Sequence, residues 1–111
     1  MSAPQAKACR TLYALSTEAA AVTGSLALMS PEDRPPRARE AARRIRRLAP
    51  QAAYAPGGLS LAGVLNDLAQ AVDAYAAGAP ASLTSIREAS ARNAELRHTL
   101  RDCSGGLTYE N

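Results

Sequence analysis

The sequence contains no tryptophan and no phenylalanine, and its four tyrosines are the only aromatic residues. Aliphatic β-branched residues are also scarce, and the whole set is Val22, Ile45, Val64, Val72 and Ile86. Because β-sheets depend on aromatic and β-branched side chains, this composition argues against an all-β domain. Alanine supplies 26 of the 111 residues, and Ala, Leu, Arg and Glu are all good helix formers. We therefore expect an all-α protein.

Long apolar runs are also missing. The longest mostly apolar stretch, 19–29, is interrupted by Thr23, Gly24 and Ser25, and it is about half as long as a membrane span requires. Residues 1–10 contain no apolar segment of the kind found in secretion signals. We therefore expect no membrane association and a cytoplasmic location. Because alanine and arginine both have GC-rich codons, we also expect a bacterial source with a high-GC genome.

Metal ligands are few, since His98 is the only histidine and Cys9 and Cys103 are the only cysteines. The two cysteines fit no zinc-binding spacing. The sequence also lacks a Gly-rich phosphate loop after a strand and a G-x-S-x-G elbow. We therefore expect no metal site and no cofactor. The cysteines would meet at one pole of a helical bundle, and whether they form a disulfide is left open, because a cytoplasmic location favours free thiols.

Four segments have the apolar spacing of amphipathic helices. The first has an unbroken alternation of four- and three-residue steps, which we call the helix-one seam: Ala8, Leu12, Leu15, Ala19, Val22, Leu26 and Met29. Proline and glycine residues mark the predicted ends of the helices. The predicted bounds are Pro4 to Met29, Pro36 to Ala49 before Pro50, Leu59 to Ala77, and a start between Pro80 and Ser85 with an end before Gly105.

Four amphipathic helices with short connections predict an up-down-up-down bundle, with one domain over 1–104 and a flexible C-terminal tail over 105–111. Helix one is longer than the predicted helix two, so part of its seam would lack a cover within the chain. A homodimer through the helix-one seam would cover it. Asn93 falls on the apolar seam of helix four, where it either is buried and fixes the helix register or is hydrated.

Positive charge is concentrated in one segment. The net charge is +3, whereas 34–47 alone carries seven arginines and one glutamate. On a helix these arginines surround the apolar stripe, and six of them form what we call the arginine face: Arg37, Arg39, Arg43, Arg44, Arg46 and Arg47. Guanidinium groups match phosphate and carboxylate geometry, so this face could bind nucleic-acid phosphates or an acidic protein. The alternative is a solvated face that keeps an alanine-rich bundle soluble.

The last helix carries two short resemblances to known families. The stretch from Arg92 to His98 (R-N-A-E-L-R-H) resembles the R-x(4–6)-H motif of HEPN domains, which are small helical bundles and in many cases dimeric, toxin-like ribonucleases. This resemblance implies that Arg92 holds a scissile phosphate and His98 is the general acid or base. The stretch from His98 to Arg101 (H-T-L-R) is similar to the H-T-L-K stretch of histidine phosphotransfer domains, which are also four-helix bundles. Asp102 stands four residues after the histidine, where those domains have a small residue.

The sequence thus favours a non-enzymatic accessory or regulatory binding protein whose arginine face meets an acidic protein or a nucleic-acid backbone. The alternative is an HEPN-type ribonuclease that uses Arg92 and His98. A purely structural protein that self-assembles through the helix-one seam is a third hypothesis.

Overall fold

The computed structural model describes residues 3–30 and 32–109, with side chains described as far as Cys103. The described chain forms four α-helices and no strand, which confirms the all-α prediction. The helices are α1 (Ala3–Leu26), α2 (Arg34–Tyr54), α3 (Leu59–Ala76) and α4 (Ser82–Tyr109).

Short connections make consecutive helices neighbours, and the four close into a ring. Helix α2 packs on α1 and α3, while α4 packs on α3 and returns to α1. Helices α2 and α4 lie at opposite corners and do not contact each other over the described residues. This is the predicted up-down-up-down bundle, and it leaves the outer side of α2 without a neighbour from α4.

The core is built from small and medium aliphatic side chains. Its largest fully buried members are Ile45, Leu65, Leu68 and Val72, and fully buried alanines fill the space between α2 and its neighbours. The helix-one seam is buried within the chain from Ala8 to Leu26, because α4 and α2 both pack along α1. A homodimer would therefore have to use residues other than most of this seam.

Helix α2 continues through Pro50 to Tyr54, so the prediction that Pro50 ends this helix is wrong. A proline removes one helical hydrogen bond, but Pro50 lies on the exposed side of α2, where water can reach the carbonyl left without a partner. On the opposite side, Ala49 and Ala52 are almost completely buried. Packing of these alanines thus outweighs the local tendency of proline to end a helix.

The chain turns sharply after α2. Gly58 is buried, and a Cβ at this position would overlap the carbonyl oxygen of Ala52 and the side chain of Leu12. Only glycine therefore allows α3 to start so close to the end of α2.

The last helix starts within the predicted range but ends later than predicted. Helix α4 starts at Ser82, directly after Ala81 with its positive φ of 63°. Its backbone continues past Gly105 and Gly106 to Tyr109, so the predicted end before Gly105 is wrong. The predicted flexible tail over 105–111 falls on residues whose side chains lie outside the described part of the chain.

A buried polar pair joins α1 to α4. Ser16 and Asn93 are 0% and 1% exposed. The Ser16 hydroxyl donates to Oδ1 of Asn93 at 2.7 Å, and Nδ2 of Asn93 donates to the carbonyl oxygen of Ser16 at 3.1 Å. Asn93 is thus buried and paired rather than hydrated. Because a shift of one helical turn would leave both groups unpaired in the core, the pair favours a single register between the two helices.

A disulfide joins Cys9 near the start of α1 to Cys103 on α4. The two Cα atoms are 6.0 Å apart, which lies within the usual range for a disulfide. The sequence predicted that both cysteines lie at one pole of the bundle and left open whether they are oxidised. In the structure they form a disulfide. The bridge ties the last helix to the first at the end farthest from the α3–α4 connection.

Candidate interface on the outer face of helix α2

The six residues of the arginine face are all exposed. The buried residues of α2 recur every three or four positions along one side of the helix: Ala38, Ala41, Ala42, Ile45, Leu48, Ala49 and Ala52. Since successive residues turn by about 100°, the six arginines cover the opposite half of the circumference. The alternation of alanine and arginine in the sequence thus builds one packed side and one cationic side.

Two of the six arginines have partners within the protein. The Nη2 atom of Arg43 lies 2.8 Å from Oε2 of Glu40 on the same helix, and Nη2 of Arg46 lies 3.6 Å from Oδ2 of Asp73 on α3. All four side chains are about half exposed, so water screens both pairs. The hydrogen bond from Arg43 lowers the pKa of Glu40, and the charges of Arg43, Arg47 and Arg44 add to this effect.

The other four arginines, namely Arg37, Arg39, Arg44 and Arg47, make no ion pair and no side-chain hydrogen bond with any described residue. Their Cα atoms span 10 helical positions, or about 15 Å along the axis. Glu40 is the only acidic residue within α2. The face therefore offers several guanidinium groups whose hydrogen-bond donors are free for a partner outside the chain.

Tyr54 extends this surface, and sequence reasoning missed it. The helix was predicted to end at Ala49, which would have placed Tyr54 in a loop, whereas α2 ends at Tyr54. Because Tyr54 follows Arg47 by seven residues, or about two turns, both side chains lie on the same side of the helix. The tyrosine is 93% exposed. Ala52 continues the three- and four-residue spacing of Ile45 and Leu48, and this spacing is the sequence signal that could have revealed the longer helix.

The two residues of the ribonuclease alternative are not brought together. Nη2 of Arg92 lies 3.3 Å from Oδ2 of Asp67 on α3. Nε2 of His98 lies 4.0 Å from Oδ2 of Asp102, one turn further along α4, and both of these side chains are mostly exposed. Six residues of helix place Arg92 and His98 about 120° apart. The imidazole of His98 is accessible, but the nearby carboxylate of Asp102 would repel a phosphoryl group on it.

Neither a metal site nor a membrane-spanning helix is present in the described part of the chain. Over the part of the chain whose side chains are described, no three His, Cys, Asp or Glu residues group closely enough to hold a metal ion. No helix in the described ranges combines the length and apolar character needed to cross a bilayer.

Comparison of the chain with known protein families found no match, and comparisons with curated proteins and with solved structures found none either. The resemblances of the stretch from Arg92 to Arg101 therefore stay limited to those residues.

Proposed function

We propose that this protein is a small non-enzymatic accessory or regulatory binding module that presents its arginine face to an anionic macromolecule, either an acidic protein or the phosphates of a nucleic acid. The observation that carries the proposal is the set of four exposed guanidinium groups without a partner among the described residues: Arg37, Arg39, Arg44 and Arg47. A guanidinium group presents a planar fork of donors that fits carboxylate and phosphate oxygens in pairs.

The distribution of charge supports binding over solubility as the role of this face. Residues 34–47 carry a charge of +6, whereas the remainder of the chain carries −3. A charge pattern that served only solubility would mix both signs over the surface. Here the positive charge is concentrated on one helix whose outer side has no neighbouring helix.

The proposal predicts salt-sensitive binding. A fluorescently labelled 20-nucleotide random oligonucleotide and labelled poly-glutamate serve as probes, and anisotropy is measured from 50 to 200 mM salt. For a nucleic acid, the logarithm of the affinity should fall with the logarithm of the salt concentration by about 0.7–0.9 per contacted phosphate. The triple variant Arg39→Gln, Arg44→Gln, Arg47→Gln should bind at least tenfold more weakly, with a slope that is smaller by about 2–3.

A matched control removes three positive charges from other helices. The variant Lys7→Gln, Arg10→Gln, Arg87→Gln changes the net charge by the same amount, but its residues lie on α1 and α4. It should keep most of the affinity and the original salt slope. Equal losses in the two triple variants would mean that net charge rather than the arginine face determines binding, and absence of binding to both probes would overturn the proposal.

The ribonuclease alternative has a direct test. RNA cleavage by the purified protein that is lost in His98→Ala and in Arg92→Ala would establish catalysis. Under the binding proposal, labelled RNA stays intact during prolonged incubation, and both variants bind it as the parent protein does.

The proposal includes a cytoplasmic location, which has a consequence for the disulfide between Cys9 and Cys103. Reducing compartments keep most thiols free, whereas oxidising compartments keep disulfides formed. Alkylation of the cysteines in freshly lysed host cells, followed by mass spectrometry, distinguishes the two. Fully alkylated cysteines would agree with a cytoplasmic location, and a protected bridge would indicate an oxidising compartment.

A further inference from the structure

An exposed aromatic ring lies at the end of the cationic surface. Tyr54 is 93% exposed at the last position of α2, two turns beyond Arg47 and three turns beyond Arg43. A tyrosine usually buries most of its ring even when its hydroxyl stays in water. Here almost the whole ring is free, on the side of the helix that carries the arginines. The two features together form one continuous surface about 25 Å long from Arg37 to Tyr54.

Free guanidinium groups and a free aromatic ring are the two parts of a surface that binds unpaired nucleotides. The backbone of a single strand is held by arginines and lysines, and its bases stack on aromatic side chains. An acidic protein would pair with the arginines and could also cover the ring, since tyrosine and arginine are both enriched at protein interfaces, so poly-glutamate is kept as the competing probe. A duplex would also contact the arginines, but its stacked bases do not present a face to a ring on a convex helix.

We propose that the partner of the arginine face is a single-stranded nucleic acid, RNA or DNA, with phosphates held by the free guanidinium groups of Arg39, Arg44 and Arg47 and a base stacked on Tyr54. This inference rests on the proposed function and narrows it to one class of partner. Because stacking accepts every base and the arginines contact only the backbone, binding has little sequence preference.

The first experiment tests stacking. Binding of labelled oligo(dT) and oligo(U) is compared for the parent protein, Tyr54→Ala and Tyr54→Phe. Replacing a stacking aromatic by alanine weakens single-strand binding by roughly 5- to 150-fold, whereas phenylalanine should keep the affinity within about threefold. Tyr54 contacts no core residue that an alanine would leave unfilled, since it is almost fully exposed, so the helical circular dichroism and the thermal midpoint of both variants should be unchanged.

The second experiment uses a spectroscopic signal that only stacking changes. The chain has no tryptophan, so Tyr54→Trp introduces a single indole on the proposed surface. Its fluorescence should be quenched on addition of oligo(dT). The matched control is Leu83→Trp, which places an indole at a 53% exposed position on α4, a helix that does not contact α2 over the described residues, and it should show no quenching.

The outcomes separate this inference from the proposed function. If the arginine triple variant loses binding while Tyr54→Ala binds normally and the indole at position 54 is not quenched, the partner is not a stacked single strand, and the binding function stands. Tighter binding of poly-glutamate or of a duplex than of oligo(dT) would identify one of those classes instead and overturn the inference. If no probe shows binding that depends on the arginines, both proposals fail.

Discussion

Removing the disulfide between Cys9 and Cys103 is predicted to lower the stability of the protein severely. The bridge closes a loop with a sequence separation of 94 residues. In the chain-entropy description, closing a loop of this length in the unfolded state raises the free energy of unfolding by about 4.7 kcal/mol at 25 °C. The core offers little to compensate for such a loss, because it consists mainly of alanines that each bury a small apolar area.

The assay is thermal unfolding followed by circular dichroism, with and without a reductant. A chain of this length has an unfolding entropy of about 0.23 kcal/mol per degree near its midpoint, so the loss corresponds to a decrease of about 20 °C. The double variant Cys9→Ala, Cys103→Ala should melt at the temperature of the reduced parent and should not respond to reductant. A midpoint that reductant leaves unchanged, in a protein shown by mass to be oxidised beforehand, would refute the loop-entropy reasoning.

Other changes have smaller expected effects. Asn93→Ala removes the 2.7 Å hydrogen bond of the buried Ser16 hydroxyl and the donor to the Ser16 carbonyl, and it leaves the hydroxyl only the 3.4 Å contact with the main-chain carbonyl of residue 93. It should cost about 1–3 kcal/mol in urea unfolding, and equal stability in the variant would argue against a structural role for the pair. Gly63→Ala should stabilise α3 by up to about 1 kcal/mol, since a Cβ at this position would contact nothing. Gly58→Ala should destabilise the protein, because its Cβ would overlap the backbone of α2. A Gly58→Ala variant as stable as the parent would contradict the close approach of α3 to the end of α2. The pKa of Glu40 is lowered in the folded protein. The contribution of Glu40 to stability is therefore present above its ordinary pKa and is lost as the pH falls through the lowered pKa. An NMR titration of the carboxyl should show the lowered pKa. Glu40→Gln should raise the affinity for an anionic oligonucleotide by up to about fivefold, because it removes the only acid of α2; a weaker affinity would count against the arginine face as the binding surface.

The fold could be predicted from the sequence because the apolar spacing of each helix is regular. The helix-one seam is buried almost as its four-and-three spacing implied. Where the prediction failed, long-range packing had overruled a local preference. Pro50 favours a helix end, but the burial of Ala52 against the core keeps α2 helical for another turn. The wrong helix end also hid a residue of the candidate interface, since the extra turn places Tyr54 on the cationic side of α2.

Two further features depend on groups that are distant in the sequence. Asn93 could be placed on a seam, but its partner Ser16 is 77 residues away and adjoins the apolar positions of helix one without belonging to them. The pole shared by Cys9 and Cys103 follows from the topology of the bundle. Whether the cysteines are oxidised depends on their separation in three dimensions and on the compartment, and neither is encoded in local spacing.

The composition of α2 makes the candidate interface separable from the fold. Alanines on its inner side bring the helix close to α3 and α1, and the residues that hold it there, such as Ala42 and Ile45, are fully buried. The arginines on the outer side contribute almost nothing to that packing, because two have only screened partners and four have none among the described residues. Replacing them should therefore change binding without changing stability, apart from a small gain from relieved repulsion between like charges. The fold therefore gives no reason for a face that carries twice the net charge of the whole chain, and the proposed anionic partner would supply one.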